Sequence, residues 1–292
     1  MVISHILGGL GNQMFQYAAG RALALSRGVP LRLDISGFDN YGLHNGFELD
    51  RIFPGNFEIS AESDVHRMLG WRSEPLVRRI LRRPQAALLR GSRLIIEPHF
   101  NFWPGFLELP DDCYLDGYWQ SEKHFKPVED VIRRDFRFKQ EMTRRNRELA
   151  EQMRGDGSIS LHVRRGDYVT NPKNHKVLSL CPLEYYQTAV SLIAERVEKP
   201  HFFIFSDDLP WVKSYLKVDF YSSYIDHNRG AESYNDMRLM SLCRHHIIAN
   251  SSFSWWGAWL DSRPDKMVIA PARWFTNNNE IADLIPDGWT AT

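Results

Sequence analysis

Apolar and polar positions divide the chain into short apolar runs separated by segments with helical spacing. Residues 2–7, VISHIL, read as a strand that runs into Gly8-Gly9-Leu10-Gly11-Asn12-Gln13. Met14, Ala18, Ala22 and Leu25 then mark a helix stripe that stops at Gly28, just before Pro30. LRLDI at 31–35 is the next strand, RLIIEP and CYLDGYW add two more, and residues 123–153 read as polar helix. Gly155-Asp156-Gly157 marks a break, after which a fresh alternation begins. Strand 158–163 leads to a helix entered through Pro182, then to strand HFFIFSDD ending at Asp208 and a helix from Pro210. A short strand at Phe220, the helix ESYNDMRLMSLC, strand HIIAN, a short helix after Ser251-Ser252 and strand KMVIA complete the series. Strands alternating with helices predict parallel sheets, so the expected architecture is α/β. It has two Rossmann-like domains, 1–154 and 155–292, facing a central cleft.

In parallel sheets the working groups collect at the C-terminal strand ends. The stretch ISLHVRRGDYV at 159–169 runs from a buried strand straight into Arg164 and Arg165, with His162 two positions before Arg164. Two adjacent guanidinium forks are built to meet anions, and a diphosphate fits them best. A local ion pair between Arg165 and Asp167, with His162 merely packed, is the plainer alternative. The other strand ends are Gly8 to Gln13, Ser206-Asp207-Asp208 and Asn250-Ser251-Ser252-Phe253. The two serines precede a short helix, so their hydroxyls and the backbone amides there suit a phosphate, and serving as N-cap is compatible with that. Asp207-Asp208 lacks D-x-D spacing, and two arginines already offset a diphosphate, so no metal is called for. His245 and His246 are consecutive in a strand and point to opposite faces, which argues against a metal pair. Gly9-x-Gly11 after a strand, with Asp34 ending the next, is a partial dinucleotide fingerprint whose third glycine is replaced by Met14. A nicotinamide-dependent oxidoreductase and a non-catalytic nucleotide- or glycan-binding module therefore stand as alternatives.

Lys+Arg and Asp+Glu number 36 each, so no global field recruits nucleic acid. Cys113, Cys181 and Cys243 are odd in number and far apart, which argues against a disulfide framework or a structural zinc site. No apolar run approaches the roughly 18 residues of a membrane span, and the N-terminus reads as a strand rather than a signal peptide, so a cytoplasmic protein is expected. One local charge run stands out. In EPLVRRILRRPQAALLRGSR, arginines flank leucines and valine in an amphipathic segment broken at Pro84. It reads as a solvated helical face or as a foothold on an anionic membrane or a lipid-linked substrate.

GGLGNQMFQYAAGRALA, HVRRGDYV, FSDD and ANSSFSWWGAWL occur in that order across nearly the whole chain. Together they closely resemble the bacterial α-1,2-fucosyltransferases of glycosyltransferase family 11. More distantly the chain resembles the α-1,6-fucosyltransferases and the protein O-fucosyltransferases. The resemblance implies a GT-B fold, GDP-L-fucose as co-substrate, inversion at the sugar carbon, and neither metal nor cofactor. The acceptor it implies is the 2-hydroxyl of a terminal β-galactoside, in O-antigen or related surface glycan synthesis; the basic segment and the absence of a signal-peptide pattern add the expectation of peripheral contact at the inner face of the membrane. Carried over by motif, Arg164 is similar to the arginine that binds the β-phosphate, Arg165 to a second activity-critical arginine, and His162 to a nucleoside contact. Asp207, Asp208, His245, Asn250, Ser251, Ser252 and Phe253 resemble the rest of the donor pocket. Gly11 and Asn12 resemble a loop whose asparagine reaches the reaction centre. Asp167 either serves near the reaction or holds Arg165; the general base stays open.

Overall fold

A computed structural model of the chain describes residues 1–39, 45–166, 179–276 and 282–292. They fall into two compact units, Met1–Lys139 with Ala282–Leu284 and Gln140–Ile281 with Ile285–Thr292. The division comes earlier than the Gly155-Asp156-Gly157 turn where the sequence suggests it. The reason is helix 144–153, whose Ala150 and Met153 pack with Phe203, Phe205, Leu239 and Met240 of the second unit. The run 123–153 is accordingly not one helix but two, separated by residues 136–143.

The first unit contains strands β1 (Val2–His5), β2 (Leu31–Asp34), β3 (Leu94–Ile96) and β4 (Cys113–Asp116). Its helices are α1 (Leu10–Arg27), α2 (Leu49–Ile52), α3 (Glu62–Leu69), α4 (Pro75–Leu81) and α5 (Glu129–Asp135). The sheet order is β2-β1-β4-β3, and every pairing is parallel. Met14, Ala18 and Ala22 of the predicted stripe are buried, whereas Leu25 in the last turn is exposed. Gly28 ends α1 in the left-handed region, at φ 64°. On the other side of the sheet, Val65, Met68, Leu69 and Leu81 pack with Ile3, Leu94 and Tyr114. The basic segment is split in purpose. Arg78 turns inward to pair with Asp34 at 2.9 Å, and Arg82 pairs with Asp116 at 2.7 Å, while Arg79 and Arg83 face out.

The second unit begins with α6 (Arg144–Met153) and carries β5 (Ser158–Val163), β6 (His201–Ser206), β7 (Tyr221–Ile225), β8 (His245–Ile247), β9 (Val268–Ala270) and β10 (Thr290–Ala291). Between them lie α7 (Leu183–Ala194), α8 (Leu209–Tyr215), α9 (Tyr234–Met240) and α10 (Ser252–Leu260). The sheet order is β10-β9-β8-β5-β6-β7, all parallel, and β10 is too short to be read from the sequence. Numbered from β5, this is the 3-2-1-4-5-6 order of a doubly wound nucleotide-binding sheet. Phe202 and Ile204 face the α7 side while Phe203 and Phe205 face α6 and α9. Burial on both faces is why HFFIF reads as an unbroken apolar run. Trp255, Trp256 and Trp259 bury nearly all sides of α10, as an apolar helix requires.

Candidate active site

In the second unit the chain leaves β5 toward β6 on one side and leaves β8 toward β9 on the other, so the loops beyond their C-terminal ends diverge. Ligands of such sheets bind at that switch point. Arg164, Arg165 and Gly166 follow β5 there, and Asn250, Ser251 and α10 follow β8.

β5 and β6 are paired in register, Val163 opposite Ser206, which sets residues 164–165 beside residues 207–208. Arg164 Nη1 lies 3.2 Å from Asp207 Oδ2, and Arg165 Nε lies 3.5 Å from Asp208 Oδ2. The Arg165 amide donates to Asp207 Oδ1 at 2.9 Å, and its guanidinium sits 4.3 Å above the Trp211 ring centre. Asp208 accepts a hydrogen bond from the Trp211 amide and so caps α8. Asp207 and Asp208 thus hold the arginines in place. A guanidinium has five N–H donors, so a one-nitrogen contact with a carboxylate is compatible with forked engagement of a phosphate. Gly166 packs closely here, since a Cβ would lie 3.0 Å from Asp207 Oδ2. Asp167, the alternative partner of Arg165, lies outside the described residues.

His162 is buried, its ring centre 6.0 Å from that of Phe253. Burial, and then the charge of Arg164, lower its pKa to about 3, so the imidazole is neutral at physiological pH. Its Nδ1 has no hydrogen-bond partner among the described residues, a buried polar atom left for a ligand or water. Ser251 occupies the N-cap position of α10, and its side chain makes no capping bond.

Two residues expected to touch the donor make other contacts within the described structure. Asn250 is fully buried. Its amide donates to the carbonyls of Ser179 and Trp274, the latter at 3.0 Å, and accepts from Cys181 Sγ at 3.3 Å. It braces the loops around the strand end instead. His245 begins β8 opposite Ile159, five residues before Arg164 on the neighbouring strand, so it lies about 16 Å along the sheet from the switch point. Its Nδ1 accepts the Met267 amide. His246 is buried between Ser160 Oγ at 2.9 Å and Asp261 Oδ2 at 3.1 Å, a structural tie rather than a ligand contact.

In the first unit β1 lies between β2 and β4, and the loop that leaves its C-terminal end carries Gly8 into α1. Gly8 takes φ +83°, and a Cβ there would come within 2.8 Å of Asn12 Nδ2. Asn12 Oδ1 accepts from Gln120 Nε2 at 2.8 Å, which turns the amide so that its nitrogen faces the Gly8 backbone. Gly11 is buried one residue earlier in α1. Gln13 and Gln16 tie the loop down through Gly8 O, Gly117 O and the Leu7 amide. Glu97, its pKa raised by burial to about 7 against two opposing amide hydrogen bonds, accepts those bonds from Tyr118 and Trp119 at 2.7 and 2.9 Å. It thereby shapes the turn that presents Gln120. Asp34 is not available to a ribose. Its Oδ2 accepts from Arg78 and from Tyr114 OH, at 2.9 and 2.5 Å, and its Oδ1 accepts the Ser36 amide at 3.0 Å. The oxidoreductase alternative loses its acidic residue for that reason.

Local reading missed Gln120, whose partner Asn12 is far away in the chain. It also missed Asp236 on α9, a carboxyl that burial raises to about 7 and that accepts from Asn228 Nδ2 at 2.7 Å. Only Trp211 had a local signal, two residues after the Leu209-Pro210 helix start.

A 3-2-1-4-5-6 sheet with paired arginines at its switch point, coupled in one chain to a second parallel α/β unit, has the makings of a GT-B glycosyltransferase. The comparisons agree with that class. Structures of the α-1,6-fucosyltransferase NodZ from Bradyrhizobium superimpose with a TM-score of 0.54 at 17% identity, covering 89% of this chain and 92% of that one. The fold is the GT-B type shared with these enzymes. The glycosyl transferase family 11 model matches residues 102–291. An α-1,2-colitosyltransferase of Escherichia coli is 35% identical over 99% of this chain and 98% of its own length. The O-antigen biosynthesis glycosyltransferase WbnK of Escherichia coli is 31% identical over 98% of each chain. A galactoside α-(1,2)-fucosyltransferase 2 of Mus musculus is 25% identical over 87% of this chain and 66% of its own. The chain belongs to glycosyl transferase family 11.

Proposed function

We propose that this enzyme moves L-fucose from GDP-L-fucose to the 2-hydroxyl of a terminal β-galactoside, forming an α-1,2 linkage in an O-antigen or related surface glycan. The observation that carries the reading is the arginine pair at the β5–β8 switch point, held by Asp207 and Asp208 beside the start of α10. The acceptor oxygen attacks the anomeric carbon from the face opposite the nucleotide, so configuration inverts. The bond from that carbon to the β-phosphate oxygen breaks, the acceptor hydroxyl loses its proton, and GDP leaves. Negative charge grows on the β-phosphate, and Arg164, Arg165 and the amides around Ser251 and Ser252 stabilise it where it develops. His162 and Phe253 line the nucleoside side. The guanidinium charge makes a metal unnecessary, so activity persists in EDTA.

A second donor has specific support. The 35% identical relative is named for colitose, which is fucose without its 3-hydroxyl. Incubation with GDP-fucose and with GDP-colitose over a panel of galactosides, with linkage analysis of the product, separates the two. An α-1,2-linked fucosyl galactoside is expected. GDP binding without sugar transfer from either donor to any galactoside refutes the reading in favour of a binding module.

A further inference from the structure

Exposed large apolar side chains concentrate in one part of the first unit. Leu88 is 99% and Leu76 76% exposed, and Trp71, Ile80 and Leu89 are also open to solvent. Leu76 and Ile80 are one turn apart on the outer face of α4, whereas Val77 and Leu81 pack inward. Leu88 and Leu89 close the short 3-10 helix Pro84–Leu89, which turns Ala86 inward. These pieces form one surface. Arg72 Nε donates to Leu89 O at 2.6 Å, joining the Trp71 turn to the 3-10 helix, and Arg90 Nε donates to Leu81 O at 2.9 Å, joining that helix to α4.

The charge around the surface has one sign. Residues 70–93 hold seven arginines and a single acid, Glu74. Arg78 and Arg82 are engaged by Asp34 and Asp116, and Arg93 by Asp112, but Arg79 and Arg83 are exposed beside Ile80 and the 3-10 helix. Water is a poor partner for five grouped apolar side chains. A surface offering leucines ringed by guanidinium groups matches a bilayer interface, where acyl chains take the apolar tips and lipid phosphates the cations. Among the described residues no helix is long and apolar enough to cross a membrane, so the contact is one of lying on the surface.

We propose that residues 71–90 dock this protein onto an anionic lipid bilayer. The inference does not depend on which sugar is transferred, because binding is read without donor or acceptor. The test is co-sedimentation of the full chain with vesicles of phosphatidylcholine alone and of phosphatidylcholine with phosphatidylglycerol. Binding is expected on the anionic vesicles and falls steeply with added salt. Arg79→Gln with Arg83→Gln weakens it by about 25-fold, about fivefold for each cation near the surface. Leu76→Ser with Leu88→Ser weakens it by at least about tenfold, with an unchanged thermal unfolding midpoint confirming the fold. Failure to bind anionic vesicles at low salt overturns the proposal, as does binding that neither double variant reduces. A dimer in light scattering that Leu76→Ser with Leu88→Ser dissolves also overturns it, in favour of a second copy on this face.

Discussion

Arg164→Ala separates the chemistry of the arginine pair from its contribution to folding. Arg164 Nη1 lies 3.2 Å from Asp207 Oδ2, and the two side chains are 26% and 24% exposed. A solvent-screened pair of this kind contributes at most about 1 kcal/mol, so the unfolding midpoint falls by no more than about 4 °C. The transition state is a different matter. A guanidinium aimed at a β-phosphate whose charge grows as the glycosidic bond breaks is worth at least about 2.7 kcal/mol, or about 100-fold in turnover. The assay is steady-state release of GDP from GDP-fucose in the presence of a galactoside, with kcat and KM resolved. Arg164→Lys keeps the charge but not the fork, and recovers part of the loss. A folded Arg164→Ala enzyme whose turnover stays within about threefold of the parent would refute the assignment of charge stabilisation to this side chain.

Asn250→Ala removes a side-chain donor from the carbonyls of Ser179 and Trp274, the latter still accepting the Ser179 amide, which costs roughly 1–3 kcal/mol. Thermal unfolding should shift down by several degrees, and an unchanged midpoint would remove the bracing role. Asp236 gives a pH test. Its carboxyl is raised by burial to about 7 from an ordinary 3.8, so between about pH 4 and 7 the folded chain keeps a proton that the unfolded chain has released. That contribution to stability is complete below this window, falls as pH rises through it and is gone above about pH 7. Urea midpoints at pH 5 and pH 7 should therefore differ less in Asp236→Asn than in the parent. Equal pH slopes in the two proteins would contradict the burial argument.

Much of the fold around the candidate site could be read from local pattern. Runs such as SISLHV and HFFIF are strands because β-branched and aromatic residues buried on both faces leave no other stable choice, and two consecutive arginines at such a strand end announce an anion. The glycine loop before α1 was equally plain, as was the α/β alternation. What distance along the chain hides is pairing. Asp207 and Asp208 became the arginines' partners only when β6 took its register against β5, and Asn12 received its orientation from Gln120, which follows the neighbouring strand β4.

The same physics accounts for the expectations that changed. Asn250 occupies a strand end as foreseen, but its amide is engaged by the carbonyls of Ser179 and Trp274 and by Cys181 Sγ. His245 carries suitable chemistry at the wrong edge of the sheet, a difference of strand register that a local motif does not encode. Asp34 fits a ribose-binding spacing, yet Arg78 folds inward and claims it. Local order along this chain follows from backbone propensity and the period of apolar residues, which act over a few residues. Which strands are neighbours, and hence which charges meet, follows from packing two layers of helices on each sheet, a condition only the whole fold can satisfy.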